Sequence, residues 1–459
     1  MLLIEDPPIE VASPDASDSG SEYNTVCNPL SRIAVDRLCD EPLFQVPCKP
    51  WTITTDDDHL ISSLISLYFT WHHPLMQVVD QEMFLREMSA GDLASEFCSP
   101  VLVNSILAVA SIYSDYAETY AVPGDATSRG QNFFREAEGR WRAEEGRPSL
   151  ANIQALALMS HNLNLQGKDN SSWLHLRQAV QLGQDIGIFE SPPSPYCEWD
   201  RMPDHVKRTS AKTGWAIFIL NSDMCLEHGR MPNMSTPRLS RDKIDDVEED
   251  SVWVPYYAFS DGIDFPKKPS FLHYVFAGLA ELAKTLVDIQ NLFFGRAPDI
   301  SIHEIWAEAS PLYDRVEAFR KSLQDPAVLD DQPAPQMIFL HIKCHHIAIS
   351  LLGLVLEQQD SKPSLDSVII EELKLNRIHA VKQIALYLRL YSKHYGLPQT
   401  PSLFFSPIKT CLVALLASLD TISTEIISSE LHQMLLSFGG RFPAAREVIH
   451  QIDAVQFNI

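Results

Sequence analysis

The sequence predicts an all-α protein, folded as a single large irregular multi-helix domain. Three observations predict it. Apolar residues recur at three- and four-residue steps in one segment after another. Alternation of period two is nearly absent, and Pro-rich connections separate the periodic segments. No clean repeat of 30 to 45 residues accompanies this pattern, so a regular solenoid is not expected.

The elements follow in chain order. Residues 1–50 are rich in Ser, Pro and Asp and carry Glu5, Asp6, Glu10, Asp15, Asp18 and Glu22 before the first basic residue, Arg32. This reads as a disordered acidic N-terminal arm. Leu2, Leu3, Ile4 and Ile9 lie among its acids and are compatible with a short activation segment, although a solvating tail is the simpler account. The helical domain is expected over 51–455. Thr55 reads as an N-cap followed by three acids, and Leu60, Ile61, Leu64, Ile65, Tyr68 and Trp71 then share one helix face. Ser99 and Pro100 read as a cap with proline at the first helical position. Leu102, Val103, Ile106, Val109, Ala110 and Tyr113 follow on one face. Further helices fit 149–165, 171–187, 205–228, 270–294, 303–323, 336–357, 366–394 and 406–419. Connections are expected at 191–195, 231–268, 325–335 and 398–407, each Pro-containing.

Composition narrows the function. The 459 residues are 45% hydrophobic and 21% charged, as in an ordinary soluble globular chain. The formal net charge is -24, with 36 basic against 60 acidic side chains and no Lys/Arg-rich run. Such a surface repels phosphate, so direct nucleic-acid binding by these residues is not expected. The cysteines, Cys27, Cys39, Cys48, Cys98, Cys197, Cys225, Cys344 and Cys411, never approach CxxC spacing. No loop can therefore wrap a metal with two thiolates. Several lie in apolar helical stretches, which suits reduced thiols in a nuclear or cytosolic compartment. The N-terminus turns acidic and Pro-rich at once, unlike a signal peptide. The longest apolar run, 347–356, falls short of the roughly 18 residues of a membrane span, and a buried core helix is expected there.

Candidate chemistry is sparse. Asp245, Asp246 and Glu249 spell DDxxE, the carboxylate spacing that holds magnesium in all-α terpenoid enzymes. The companion metal-binding helix is lacking, however, and the string sits in a Pro-flanked stretch, so a solvated acidic loop explains it more simply. His341, Cys344, His345 and His346 cluster on one predicted helix, with His341 and His345 at zinc-helix spacing. No Glu completes HExxH and the neighbours are apolar, which favours a core helix. His72 and His73 precede Pro74 at a helix end, where imidazoles can meet terminal carbonyls. No GxSxG, GxxxxGK or GxGxxG occurs. No enzymatic activity is expected.

Three segments carry a family resemblance. The first runs from Trp51 through 64–74 (LISLYFTWHHP) to 98–108 (CSPVLVNSILA). The second spans Trp173 to Phe189, where 179–189 (AVQLGQDIGIF), with Gly187 inside Ile-Gly-Ile, resembles an A-V-x-x-A-x-x-L-G-L-H helix. The third begins at Arg208 and resembles W-x-L-Y-x-x-D-R-x-x-S-x-x-x-G-R-P. Trp215, Gly229 and Arg230 match it, and Phe218 takes the aromatic position. Asn221 and Ser222 stand where that pattern has an Asp–Arg pair, Cys225 stands where it has Ser, and proline arrives one position late. Leu340-His341 with Cys344-His345 gives a weaker echo. In this order and spacing the segments resemble the fungal-specific transcription factor domain, the middle homology region of zinc-cluster regulators, over residues 50 to 420.

The resemblance implies a helical regulatory scaffold that restrains or transmits activation, in some members by sensing a small molecule or a partner. It implies a nuclear transcription regulator of a pathway-specific gene set. Trp173, Gly187, Arg208, Trp215, Phe218, Asn221, Gly229 and Arg230 are its scaffold residues, with no catalytic, cofactor-binding or metal-binding position. The family's zinc and DNA contacts come from a basic six-cysteine module that has no counterpart ahead of Trp51. A truncated factor, or a variant acting through regulatory proteins or a DNA-binding partner, is therefore expected. DNA would be reached only indirectly or through that module. Homodimerisation is compatible with this reading, and no membrane is expected. An all-α magnesium-dependent terpenoid enzyme and a non-transcriptional interaction scaffold are the alternatives.

Overall fold

The structure, a computed structural model, describes residues 41–189, 199–232, 234–239, 252–256, 267–323, 332–397, 399–416 and 422–456. Fourteen α-helices run through the described residues: α1 Asp58–Leu67, α2 Gln81–Ala90, α3 Pro100–Ala110, α4 Gln131–Ala143, α5 Leu150–Leu165, α6 Asp169–Asp185, α7 Asp204–Glu227, α8 Leu272–Gln290, α9 Ile302–Ser322, α10 Pro335–Ser361, α11 Ser367–Tyr395, α12 Phe405–Leu416, α13 Ile422–Gly439 and α14 Pro443–Gln456. The all-α expectation holds. The one departure is an antiparallel ribbon of Val252–Trp253 with Lys268–Pro269, inside the stretch read as a plain connection.

Local chemistry fixes the helix starts. Ser99 accepts the Leu102 N–H with Pro100 at the first position, and Ser149 accepts the Asn152 N–H. At α1 the cap is Asp57, not Thr55. The Asp57 carboxylate accepts the N–H groups of His59 and Leu60, and the Thr55 hydroxyl only accepts the N–H of Asp57. A charged acceptor at the N-terminus outcompetes a hydroxyl two residues earlier. Packed chain also extends further back than residue 51. Val46 and Cys48 are buried, and the Val46 N–H donates to the Ser62 hydroxyl at 3.0 Å. Residues 1–40 of the expected arm lie outside the described residues.

α10 is the centre of the molecule and packs against α8, α9, α11 and α12. By length and apolarity alone it passes as a membrane span, but 89% of its most apolar window is buried. A helix apolar on every side belongs inside a core. α5 plays the same part in the N-terminal half, against α3, α6 and α7, and α14 also reaches it. Named bonds join the two halves. Trp71 Nε1 donates to the Tyr256 carbonyl at 2.7 Å and Trp253 Nε1 to the Thr70 carbonyl at 3.0 Å. Arg441, near the C-terminus, donates to the carbonyls of Ile112 and Thr400. α7 runs between the halves, touching α5 and α6 on one side and α8 on the other.

Candidate functional site

A cavity of about 330 Å³ lies where α5, α7, α10, α11 and α12 converge. Helical spacing builds each wall. On α10, Lys343, His346, Ser350, Gly353 and Glu357 recur at three- and four-residue steps and face it together. On α7, Asp223 and Glu227 are four apart. α5 contributes His161, α11 Arg377, and α12 Lys409 and Thr410. Phe339, Leu220, Leu403 and Phe405 give apolar wall. A narrower apolar cleft adjoins it and shares Leu220, Asp223, Phe339 and Leu403.

Two ion pairs cross the cavity wall. Lys343 Nζ meets Asp223 Oδ1 at 2.6 Å, with the lysine 7% and the aspartate 28% exposed. Lys409 Nζ meets Glu227 Oε1, with both partners less than a third exposed. Burial pushes the Asp223 carboxyl above the ordinary carboxylate range, against the pull of the Lys343 charge. Burial also pushes Glu227 up, but the Lys409 ammonium outweighs it and the carboxyl lies below the usual range. His161 Nε2 is 3.0 Å from the Ser402 hydroxyl, and burial lowers its pKa to about 4. His346 Nε2 is 3.1 Å from the Thr410 hydroxyl, and burial holds this imidazole well below its ordinary pKa. His346 Nδ1 and Arg377 Nε are buried with no hydrogen-bond partner among the described residues. The Arg377 guanidinium lies across Gly353, where a Cβ would come within 2.9 Å of Nη2. Glu357 and Val413 are solvent-exposed and mark the mouth. The arrangement can hold a small molecule that has both a polar and an apolar part.

Of the residues singled out from sequence, His346 lines the cavity and the scaffold positions fall elsewhere. Trp173 on α6 and Arg230 come together, the guanidinium stacking 4.8 Å above the indole. Arg230 also donates to Asn170 Oδ1 at 3.3 Å, so its side chain reaches α6 instead of the carbonyls ending α7. Its backbone N–H does cap α7, donating to the Cys225 carbonyl at 2.8 Å, while Gly229 takes φ +60°. Gly187 takes φ +85° after α6 and the Ile188 N–H donates to the Gly183 carbonyl. Trp215 packs edge-to-face on Phe218 and donates to the Leu239 carbonyl. Asn221 is buried on α7, and Arg208 is exposed and apart from the others.

His72 and His73 do not act as charged caps. Both are buried among Tyr68, Phe69 and Tyr113, and burial holds them neutral, His73 with a pKa of about 3. His341, His345 and His346 are core residues of α10, and His341 Nδ1 is 3.3 Å from the Tyr387 hydroxyl. No three His, Cys, Asp or Glu among the described residues converge on a metal position. Cys48, Cys98, Cys225, Cys344 and Cys411 are buried free thiols, and burial raises Cys48 to about 11 and Cys225 to about 12. The DDxxE string lies outside the described residues. Sequence reading missed Asp223, Glu227, Lys343, Arg377 and Lys409. One signal was available, since Lys343 is the lone Lys or Arg in the largely apolar, His-containing stretch 337–349.

The sequence of the N-terminal half of the helical body matches a known family. Residues 65–294, half of the chain, match the profile of the fungal specific transcription factor domain, and the protein belongs to that family. Among its relatives is the nitrogen assimilation transcription factor nirA of Emericella nidulans, 28% identical over 76% of this chain and 39% of nirA. The nitrogen assimilation transcription factor nit-4 of Neurospora crassa is 27% identical over 79% of this chain and 33% of nit-4. The notoamide biosynthesis transcriptional activator notL' of Aspergillus versicolor is 25% identical over 83% of this chain and 61% of notL'. The chain thus spans between a third and three fifths of the length of these relatives.

Proposed function

We propose that the protein is a transcription regulator of a fungal pathway-specific gene set, working in the nucleus through this helical body and without enzymatic activity. The observation that carries the reading is the family match over residues 65–294, supported by relatives named as transcription factors of particular pathways. The net charge of -24 argues that these residues do not read DNA themselves. The body instead holds an arrangement that a partner or a DNA-binding module passes on to promoters.

The test is a tethering experiment. The full chain is fused to an unrelated DNA-binding domain and placed at a reporter promoter in a fungal host. Reporter output should change relative to the DNA-binding domain alone, and deletion of the gene should change transcripts of a compact gene set. Unchanged output together with an unchanged transcriptome would refute the reading.

A further inference from the structure

We infer that the central cavity is a binding site for a small carboxylic acid with a compact apolar body, its carboxylate held by Arg377. This deepens the regulatory reading above and rests on it for the consequence of binding, though not for binding itself.

The argument starts from which charges are already used. Lys343 is engaged by Asp223 at 2.6 Å and Lys409 by Glu227. Inside the cavity a ligand cation would have to displace a lysine from Asp223 or Glu227, while Glu357, which has no ion pair among the described residues, lies exposed at the mouth. Arg377 is different. Its side chain is half-buried, its Nε is buried without a hydrogen-bond partner among the described residues, and the carboxylate whose charge it feels is Glu357 at the mouth. An unused donor costs free energy, and the planar guanidinium fork of Arg377 matches the geometry of a carboxylate. Gly353 is the enabling residue, because any side chain there would push the guanidinium off α10. His346 Nδ1, also buried and unpartnered, lies on the same face two turns earlier and offers a second polar contact. The apolar part of the ligand has matching wall in Phe339, Leu220 and Leu403, continued by the adjoining cleft. A volume of about 330 Å³ is at the lower end for small-molecule pockets, which limits the ligand to a compact acid. Exposed Glu357 and Val413 at the mouth leave a route in from solvent.

The test uses the purified full chain and a library of small acids paired with their neutral amides, including benzoate with benzamide, phenylacetate with phenylacetamide and 4-methylpentanoate with 4-methylpentanamide. Binding is read by ligand-observed NMR and by thermal shift. At least one acid should bind about tenfold or more tightly than its amide, as expected for a charge-assisted contact. Arg377→Gln should remove that preference, Arg377→Lys should keep part of it, and Gly353→Ala should weaken acid binding severalfold by displacing the guanidinium. Circular dichroism checks that each variant is folded. An acid–amide preference absent across the whole library, or one that survives unchanged in folded Arg377→Gln and Gly353→Ala, overturns the inference. The tethered reporter separates the two readings. Acid binding with no reporter response to the acid keeps the site and removes its regulatory consequence. A reporter response that persists in Arg377→Gln removes the site and keeps the regulator.

Discussion

Acidification should destabilise this protein well above the carboxylate range, because its core holds histidines as neutral imidazoles. His73, His161 and His345 are each 5% exposed or less. Burial lowers their pKa values to about 3, 4 and 4 respectively. The neighbouring Lys212 adds to the effect at His73 and Arg320 at His345, while Glu227 opposes it at His161 and Glu317 at His345. In the unfolded chain each titrates near 6.5. Between those values the unfolded state binds more protons, so stability is fully present above about pH 6.5 and is lost as pH falls toward the folded values. At pH 5.5 each group has lost about 1.4 kcal/mol, and the three together about 4 kcal/mol. His72 and His346 shift in the same direction and add to the loss. Against a total of about 5–15 kcal/mol for a folded domain this is a large fraction. Asp223, whose carboxyl is raised, has the opposite sign but is one group. The assay is urea unfolding followed by circular dichroism at pH 7.5 and 5.5. The midpoint should fall with little change in slope, and His161→Gln should reduce the fall by about 1.4 kcal/mol. Equal stability at the two pH values, or a pH dependence untouched by His161→Gln, would refute the reasoning.

Other perturbations have predictable directions. Lys343→Met strands the Asp223 carboxylate and should cost about 2–4 kcal/mol at pH 7. The cost should shrink at pH 5 as Asp223 takes a proton, which unfolding at both pH values measures. Gly183→Ala would place a Cβ 2.5 Å from the Phe189 ring and should cost about 1–3 kcal/mol. Phe189→Leu in the same chain should recover part of it, giving a measurable coupling energy. Trp71→Ala removes a fully buried indole, its bond to the Tyr256 carbonyl, and edge contacts with Trp253 and Tyr395. It should cost about 3–5 kcal/mol in urea unfolding. Arg230→Gln loses the half-exposed stack on Trp173 and the bond to Asn170 Oδ1, and should cost about 0.5–1 kcal/mol.

The sequence was most legible where structure is local. Ser99-Pro100 and Ser149 start helices where their side-chain chemistry requires, and eight helices read from periodicity appear within a few residues of their expected limits. α2 and α4 were missed for physical reasons. α2 buries only Phe84 and Met88, too short a stripe to register as periodic. α4 starts at a left-handed glycine, Gly130, instead of a polar cap, and carries Gly139 within it. α13 and α14 close the chain and were not resolved as separate helices. The cavity was out of reach because it is tertiary. Asp223 and Lys343 are distant in sequence, and nothing in either segment announces the other. The reading of 221–222, where Asn and Ser stand in place of the family pattern's charged pair, concerned only those positions. It could not show that Asp223 and Glu227, on the next turn of the same helix, find their lysines on α10 and α12.

Charge inside this core needs a reason beyond folding. A buried ion pair roughly breaks even at best against apolar side chains of the same volume. Filling the cavity with leucine in place of Asp223, Lys343, Glu227 and Lys409 would give α7, α10 and α12 a contiguous apolar junction continuous with the core on either side. The two pairs instead fix a set distance between α7, which bridges the halves of the molecule, and the helices of the C-terminal half. They also line a cavity of about 330 Å³ beside Arg377, whose Nε has no hydrogen-bond partner among the described residues. Packing at native density does not leave such a volume without a structural cost. The cavity therefore sits beside α7, a helix that touches both halves of the described residues, and its polar lining comes at a cost that apolar packing would avoid.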